Sequence, residues 1–174
     1  IPPPPHQRHW MEVDDEKDWG AVPSPDGTQE AFIRDCNVYV RNRQTKRVRQ
    51  LSLDGTEGNY YSTHLYWSPD SRFVTSTRIR PAKKHYVYYV ESSPSDQLQP
   101  KLHKQEYAKP GDELNFRVPC IFSADGKQRL VPDTKLFNHQ YAVSEPVWTA
   151  DSRGVTFEYN ERGHKVYRLL ELSA

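Results

Sequence analysis

A chain that hydrolyses an acyl or peptide bond with serine, in the manner of the α/β-hydrolases, holds its nucleophile on a strained strand-to-helix turn written Gly-x-Ser-x-Gly. Nowhere among these 174 residues do two glycines bracket a serine in that way. The phosphate-cradling and dinucleotide-binding glycine patterns are missing, as is His-Glu-x-x-His. Of the seven histidines, His6 and His9 stand near the start, while His64, His85, His103, His139 and His164 are far apart. They read as surface or satisfied side chains, so no catalytic residue, metal site or cofactor is expected within the chain. The two cysteines, Cys36 and Cys120, lack metal-ligand or redox spacing. Each lies in a strand-like setting, which favours free thiols in the core and leaves a Cys36–Cys120 disulfide as the alternative. A basic run from Arg78 to His85 is balanced by Glu91, Asp96, Glu106, Asp112 and Glu113. Together with a net charge of +1, this argues against a nucleic-acid-binding surface.

The elements around these residues are strands. Ala31 to Ile33, Val38 to Val40, Arg47 to Leu51, Tyr60 to Trp67, Arg72 to Arg80 and His85 to Val90 are β-branched, aromatic or alternating. So are Val118 to Phe122, Gln128 to Val131, Val143 to Trp148, Val155 to Tyr159 and Lys165 to Leu172. No segment holds helical apolar spacing, so little or no helix is expected. One turn recurs: Ser24-Pro25-Asp26-Gly27, Ser68-Pro69-Asp70-Ser71 behind Trp67, and Thr149-Ala150-Asp151-Ser152 behind Trp148. The proline sets φ, the aspartate bonds the turn backbone, and glycine or serine closes it. The intervals are 44 and 81 residues. The first suits one blade of a β-propeller, about 40–50 residues in repeats of this kind. The second suits a blade with an insertion.

The reading is therefore all-β, a partial β-propeller with about two complete four-stranded blades, three strands of a third, and a long arm. Residues 1–20 read as a proline-rich, charged linker and 21–174 as the incomplete propeller. The blades are placed at 21–55, at 56–135 with the arm at 81–114, and at 136–174. Closure takes about 4–8 blades, so the chain is expected to be a fragment whose core is completed elsewhere. A hydrophobic content of 35% and a mean hydropathy of −0.92 agree with a shared core. No run of about 18 apolar residues exists to span a bilayer.

Three stretches resemble the N-terminal propeller of the dipeptidyl peptidase IV family of serine peptidases. They are Tyr60-Tyr61-Ser62 with Leu65-Tyr66-Trp67-Ser68-Pro69-Asp70; Tyr86-Val87-Tyr88-Tyr89-Val90-Glu91 through Tyr107-Ala108-Lys109-Pro110-Gly111; and Val147-Trp148-Thr149 with Phe157 to His164. The resemblance covers about residues 20–174. It implies a propeller seated over an α/β-hydrolase domain, absent here, that carries the catalytic triad. The propeller would gate access and help hold the free amine of a peptide substrate, outside the cell or in the periplasm.

In that family a pair of adjacent glutamates before the Trp-Ser-Pro turn binds the amine. Ungapped counting from Trp67 puts the pair at Thr56 and Glu57, so this chain carries one glutamate. The resemblance also implies that the arm makes homodimer contacts through Tyr86, Tyr88, Tyr89, Leu102 and Tyr107. Because successive strand residues point to opposite faces, Tyr88 or Tyr89 is expected to be covered by something other than its own blade. A hairpin lying flat on its own propeller is the alternative for the arm. A propeller serving purely as a protein-interaction scaffold is the alternative for the whole.

Overall fold

The computed structural model describes residues 20–174. The linker expected at 1–20 falls almost wholly outside the described residues. The rest is strand and turn, with one short 3-10 turn at Thr134–Leu136.

The first sheet has the order β1 (Val22–Pro23), β2 (Gln29–Arg34), β3 (Asn37–Asn42), β4 (Val48–Gln50), each strand antiparallel to the last. The second is built from β5 (Tyr60–Trp67), β6 (Phe73–Arg80), β9 (Phe116–Ser123) and β10 (Arg129–Leu130), again in sequence order across the sheet. Between β6 and β9 the chain leaves to make a separate two-stranded hairpin, β7 (Tyr86–Glu91) and β8 (Lys101–Glu106). The third sheet comprises β11 (Gln140–Val143), β12 (Val147–Trp148), β13 (Gly154–Glu161) and β14 (Tyr167–Ser173).

The reading of Val143 to Trp148 as one strand needs correction. β11 and β12 pair with the same edge of β13 but are separated by a bulge at Ser144, Glu145 and Pro146. Ser144 causes the break: its N–H donates to the Glu158 carbonyl, and its hydroxyl accepts the Glu158 N–H. β11 and β12 thus act as one bent strand, which leaves the third sheet three strands wide.

The repeated turns have one construction. In the first, the Ser24 hydroxyl donates to Asp26 Oδ1 at 2.6 Å and accepts the Gln29 N–H at 3.0 Å, while Asp26 accepts the Thr28 N–H. Ser68, Asp70, Arg72 and Phe73 repeat this at 2.6, 3.1 and 2.9 Å. Thr149, Asp151, Arg153 and Gly154 repeat it at 2.8, 3.2 and 3.3 Å. Each aspartate carboxyl is held below the usual carboxylate value. For Asp26 the Ser24 hydroxyl is the main cause, and for Asp151 the Thr149 hydroxyl. For Asp70 burial pulls upward, but Ser68 and Arg72 outweigh it.

The sheets stack face to face over a continuous core that includes Ala31, Val38, Val40, Tyr61, Trp67 and Phe122. Farther along, Phe137, Val143, Phe157 and Tyr159 continue it. Both cysteines are free thiols. Cys120 is buried, and burial pushes it up to about 11; Cys36 is half-buried. No helix among the described residues is long and apolar enough to cross a membrane.

Candidate functional site

Antiparallel alternation places the β2–β3 turn, the β4–β5 connection, the arm and the β10–β11 connection at one end of the sheets. The aspartate turns lie at the other. Glu57 belongs to the first end. It occupies a two-residue hairpin closed by Thr56 and Asn59, whose N–H and C=O groups exchange bonds of 2.9 Å in both directions. Glu57 and Gly58 form the exposed tip.

The root of this hairpin is fixed to both neighbouring sheets. On the first sheet, Asn37 Oδ1 accepts the Gly55 N–H and the Ser52 hydroxyl, both at 2.9 Å, and its amide donates to the Gly55 carbonyl. The Cys36 carbonyl accepts the Tyr61 N–H at 3.1 Å. Contact there is so close that a Cβ on Gly55 would lie 2.1 Å from the Cys36 carbonyl oxygen. Burial pushes the Cys36 thiol up, and the carboxylates of Glu57 and Asp35 add to the effect.

On the second sheet, Asp54 accepts from Tyr61 Oη at 3.0 Å, Arg78 at 2.9 Å and Arg129 at 2.7 Å. Arg129 also donates to Tyr61 Oη at 2.8 Å. Burial alone would raise the Asp54 carboxyl, yet the Arg129, Tyr61 and Arg78 bonds hold it below the usual value. Burial pushes the Tyr61 phenol well above its ordinary value, with Cys120 and Asp54 adding to the rise. Neither Asp54 nor Asn37 stands out in the sequence. Their partners are remote, and the Asp-Gly step at 54–55 is the one local sign of a tight loop.

Tyr86, Tyr88, Tyr89, Leu102 and Tyr107 are brought together on the arm. The cross-strand register sets Tyr88 opposite Lys104, Tyr89 opposite His103 and Val90 opposite Leu102. Tyr107 lies just past β8, and its N–H donates to the His85 carbonyl at 2.9 Å. Exposures of 39% for Tyr86, 61% for Tyr88, 52% for Tyr89, 70% for Leu102 and 52% for Tyr107 show that neither face of the hairpin is covered. Tyr88 and Tyr89 are thus both open, and the hairpin does not lie flat on its own sheets. Tyr89 stacks on His103 at 5.0 Å between ring centroids, Lys104 Nζ sits 3.7 Å from the Tyr86 ring, and His103 meets Glu91 at 2.8 Å. These contacts stiffen the arm without burying it.

Two four-stranded antiparallel sheets and a third that is three strands wide, stacked and sharing an aspartate turn, define the protein as a run of β-propeller blades. Solved structures share the arrangement. A crystal structure of Porphyromonas gingivalis dipeptidyl peptidase 4 superposes with a TM-score of 0.63 at 14% identity, over 88% of this chain and 24% of that one. A putative dipeptidyl aminopeptidase IV from Bacteroides ovatus gives 0.57 at 15% identity, over 91% and 23%. Among curated sequences, a probable dipeptidyl-aminopeptidase B of Penicillium rubens is 23% identical, over 82% of this chain and 19% of its own length. A protein of the same description from Coccidioides posadasii is 23% identical over 82% and 18%. The family model for the dipeptidyl peptidase IV (DPP IV) N-terminal region matches residues 5–174. The chain belongs to that family, and it spans about a fifth of the length of the curated relatives.

Proposed function

We propose that this chain is the non-catalytic propeller region of a serine exopeptidase of the dipeptidyl peptidase type. In this reading it gates access to an α/β-hydrolase domain outside the chain, and Glu57 receives the free amine of the peptide. The observation that carries the reading is the mounting of Glu57. Asn37 ties the backbone of the two-residue hairpin to one sheet and Asp54 ties it to the next, so the Glu57 carboxylate extends from a fixed tip. An ammonium brings a full charge and three donors, and a carboxylate answers the charge and accepts from it. The arm, with aromatic side chains open on both faces, would pair with a second copy of the protein. The bond-breaking serine, aspartate and histidine would lie in the remainder of the polypeptide, in the periplasm or outside the cell.

The test is Glu57→Gln in the longer protein, assayed on a chromogenic dipeptide substrate with a free amine. A charge-assisted hydrogen bond contributes about 1.5–3 kcal/mol, so kcat/KM should fall about 10- to 100-fold. The same substitution should leave folding, followed by circular dichroism, unchanged. An unaltered kcat/KM on the free-amine substrate would refute the role of Glu57.

A further inference from the structure

At the root of the arm, between the second and third sheets, lies a cavity of about 290 Å³. Residues 80–82 line it as the chain leaves β6, 113–116 as it enters β9, and 138–140 as it enters β11. Arg162, from the β13–β14 turn, completes the wall. The frame is fixed by hydrogen bonds. Gln140 is buried and spans the two sheets: its Oε1 accepts the Arg117 N–H and its Nε2 donates to the Arg117 carbonyl, both at 2.8 Å. Asn115 Oδ1 accepts the Ala82 N–H at 2.9 Å and so joins the two limbs of the arm root. The Arg162 N–H donates to the His139 carbonyl at 2.8 Å.

The cavity is short of negative charge. Among the described residues neither Arg80 nor Arg162 forms an ion pair. Arg80 Cζ lies 5.0 Å from the Phe116 ring centroid, a contact that holds the side chain and uses none of its five N–H donors. The Arg162 guanidinium donates to the Asp112 carbonyl at 2.6 Å, which leaves its charge unanswered. Beside them the Asn138 amide has no hydrogen-bond partner among the described residues. Glu113 is the one acid on the wall and is exposed, so two arginines stand against one carboxylate. A guanidinium is planar and donates in pairs, which suits a carboxylate.

The cavity also stands beside the Glu57 hairpin. Tyr60 pairs with Ile79, so one further step of the same register sets Arg80 level with Asn59, the residue that closes the hairpin. Two residues and one strand spacing then separate Arg80 from Glu57, about 12 Å of backbone. An extended peptide covers about 3.3–3.6 Å per residue. A peptide whose amine rests at Glu57 therefore brings its third to fifth residues within reach of Arg80.

We propose that this cavity is a subsite for a carboxylate of the peptide substrate, borne by an acidic side chain at positions three to five or by the C-terminus of a short peptide. Arg80 and Arg162 hold the carboxylate, and the Asn138 amide donates to it. The proposal rests on the reading of Glu57 as the receiver of the amine.

Cleavage of matched peptides by the longer protein tests it, with kcat/KM followed by mass spectrometry. One series carries glutamate or glutamine at position three, four or five of an amidated hexapeptide. The other compares free-acid with amidated pentapeptides that have no acidic side chain. The first reads a side-chain carboxylate, the second a C-terminal one. Wild type should favour the carboxylate member of at least one series by about fivefold. The preference should vanish in both Arg80→Gln and Arg162→Gln and persist in Arg72→Gln, at the opposite end of the second sheet. Each ratio is taken within one protein, so a partial loss of folded enzyme cancels. No preference in wild type, or one that survives both substitutions, would overturn the subsite. If Glu57→Gln still slows cleavage in that case, the amine site stands and the subsite alone falls. Failure to cleave any free-amine peptide overturns the peptidase reading and the subsite with it.

Discussion

Replacing Ser71 by glycine sets two effects against each other, and Lys46→Gly provides the reference. Lys46 has φ of 59° in an exposed turn, and its backbone N–H bonds to the Asn42 carbonyl within that turn. Relieving a left-handed non-glycine residue returns about 1–2 kcal/mol, and the extra freedom of glycine in the unfolded chain removes about 0.5–1 kcal/mol of that. Lys46→Gly should therefore stabilise by about 0.5–1 kcal/mol. Ser71→Gly, at a φ of 62°, receives the same relief but removes the acceptor of the Asp26 N–H, at 3.1 Å across the sheet junction. A hydrogen bond of this kind contributes about 0.5–1.5 kcal/mol net, so the sum falls near zero or below. The two variants should differ by about 1 kcal/mol, or about 2–4 °C in Tm for a chain of this size. Thermal unfolding followed by circular dichroism reads the difference. A Ser71→Gly protein stabilised as much as Lys46→Gly would show that the inter-sheet bond contributes nothing and that the serine is a tolerated accident of sequence.

Gly55→Ala places a Cβ 2.1 Å from the Cys36 carbonyl oxygen, where only backbone movement relieves the clash. A loss of about 1–3 kcal/mol is expected for such overpacking, and an unchanged Tm would contradict the packing described. Asp54→Asn should lower the Tm at neutral pH. Because the native Asp54 carboxyl lies below its ordinary value of 3.8, its contribution is complete above that value and fades as pH falls through the lowered one. The Tm gap between wild type and Asp54→Asn should therefore close in acid, and a gap independent of pH would remove the charge from the explanation. Deleting residues 86–108 from the longer protein should convert a dimer into a monomer by light scattering. Retention of the dimer mass would assign the contact elsewhere.

What could be read from the chain in advance was whatever is encoded within a few residues. The aspartate turns announce themselves because Ser24 and Asp26 bond chiefly to each other and to Gly27, Thr28 and Gln29, all close in sequence. The aromatic and β-branched content of Tyr60 to Trp67 and of Phe73 to Arg80 marks strands by their own composition. The break at Ser144 was hidden because the bonds by which Ser144 makes it run to Glu158 on β13, 14 residues away. The anchoring of Glu57 was hidden for the same reason: Asp54 meets Arg129 75 residues away, and Asn37 meets Gly55 across 18. The tryptophans before the second and third turns illustrate the boundary between the two. Their position is plain in the sequence as the end of a strand, and burial of a large ring would explain it. The indole N–H, however, is answered by a carbonyl 45 or 82 residues earlier, and no window around Trp67 or Trp148 contains that partner. Local spacing thus specifies each sheet, while the order in which sheets stack is written in pairs of side chains and backbone groups one repeat apart. An insertion as long as the arm lengthens that interval without disturbing the indole bond, since it is made at the opposite end of the sheets.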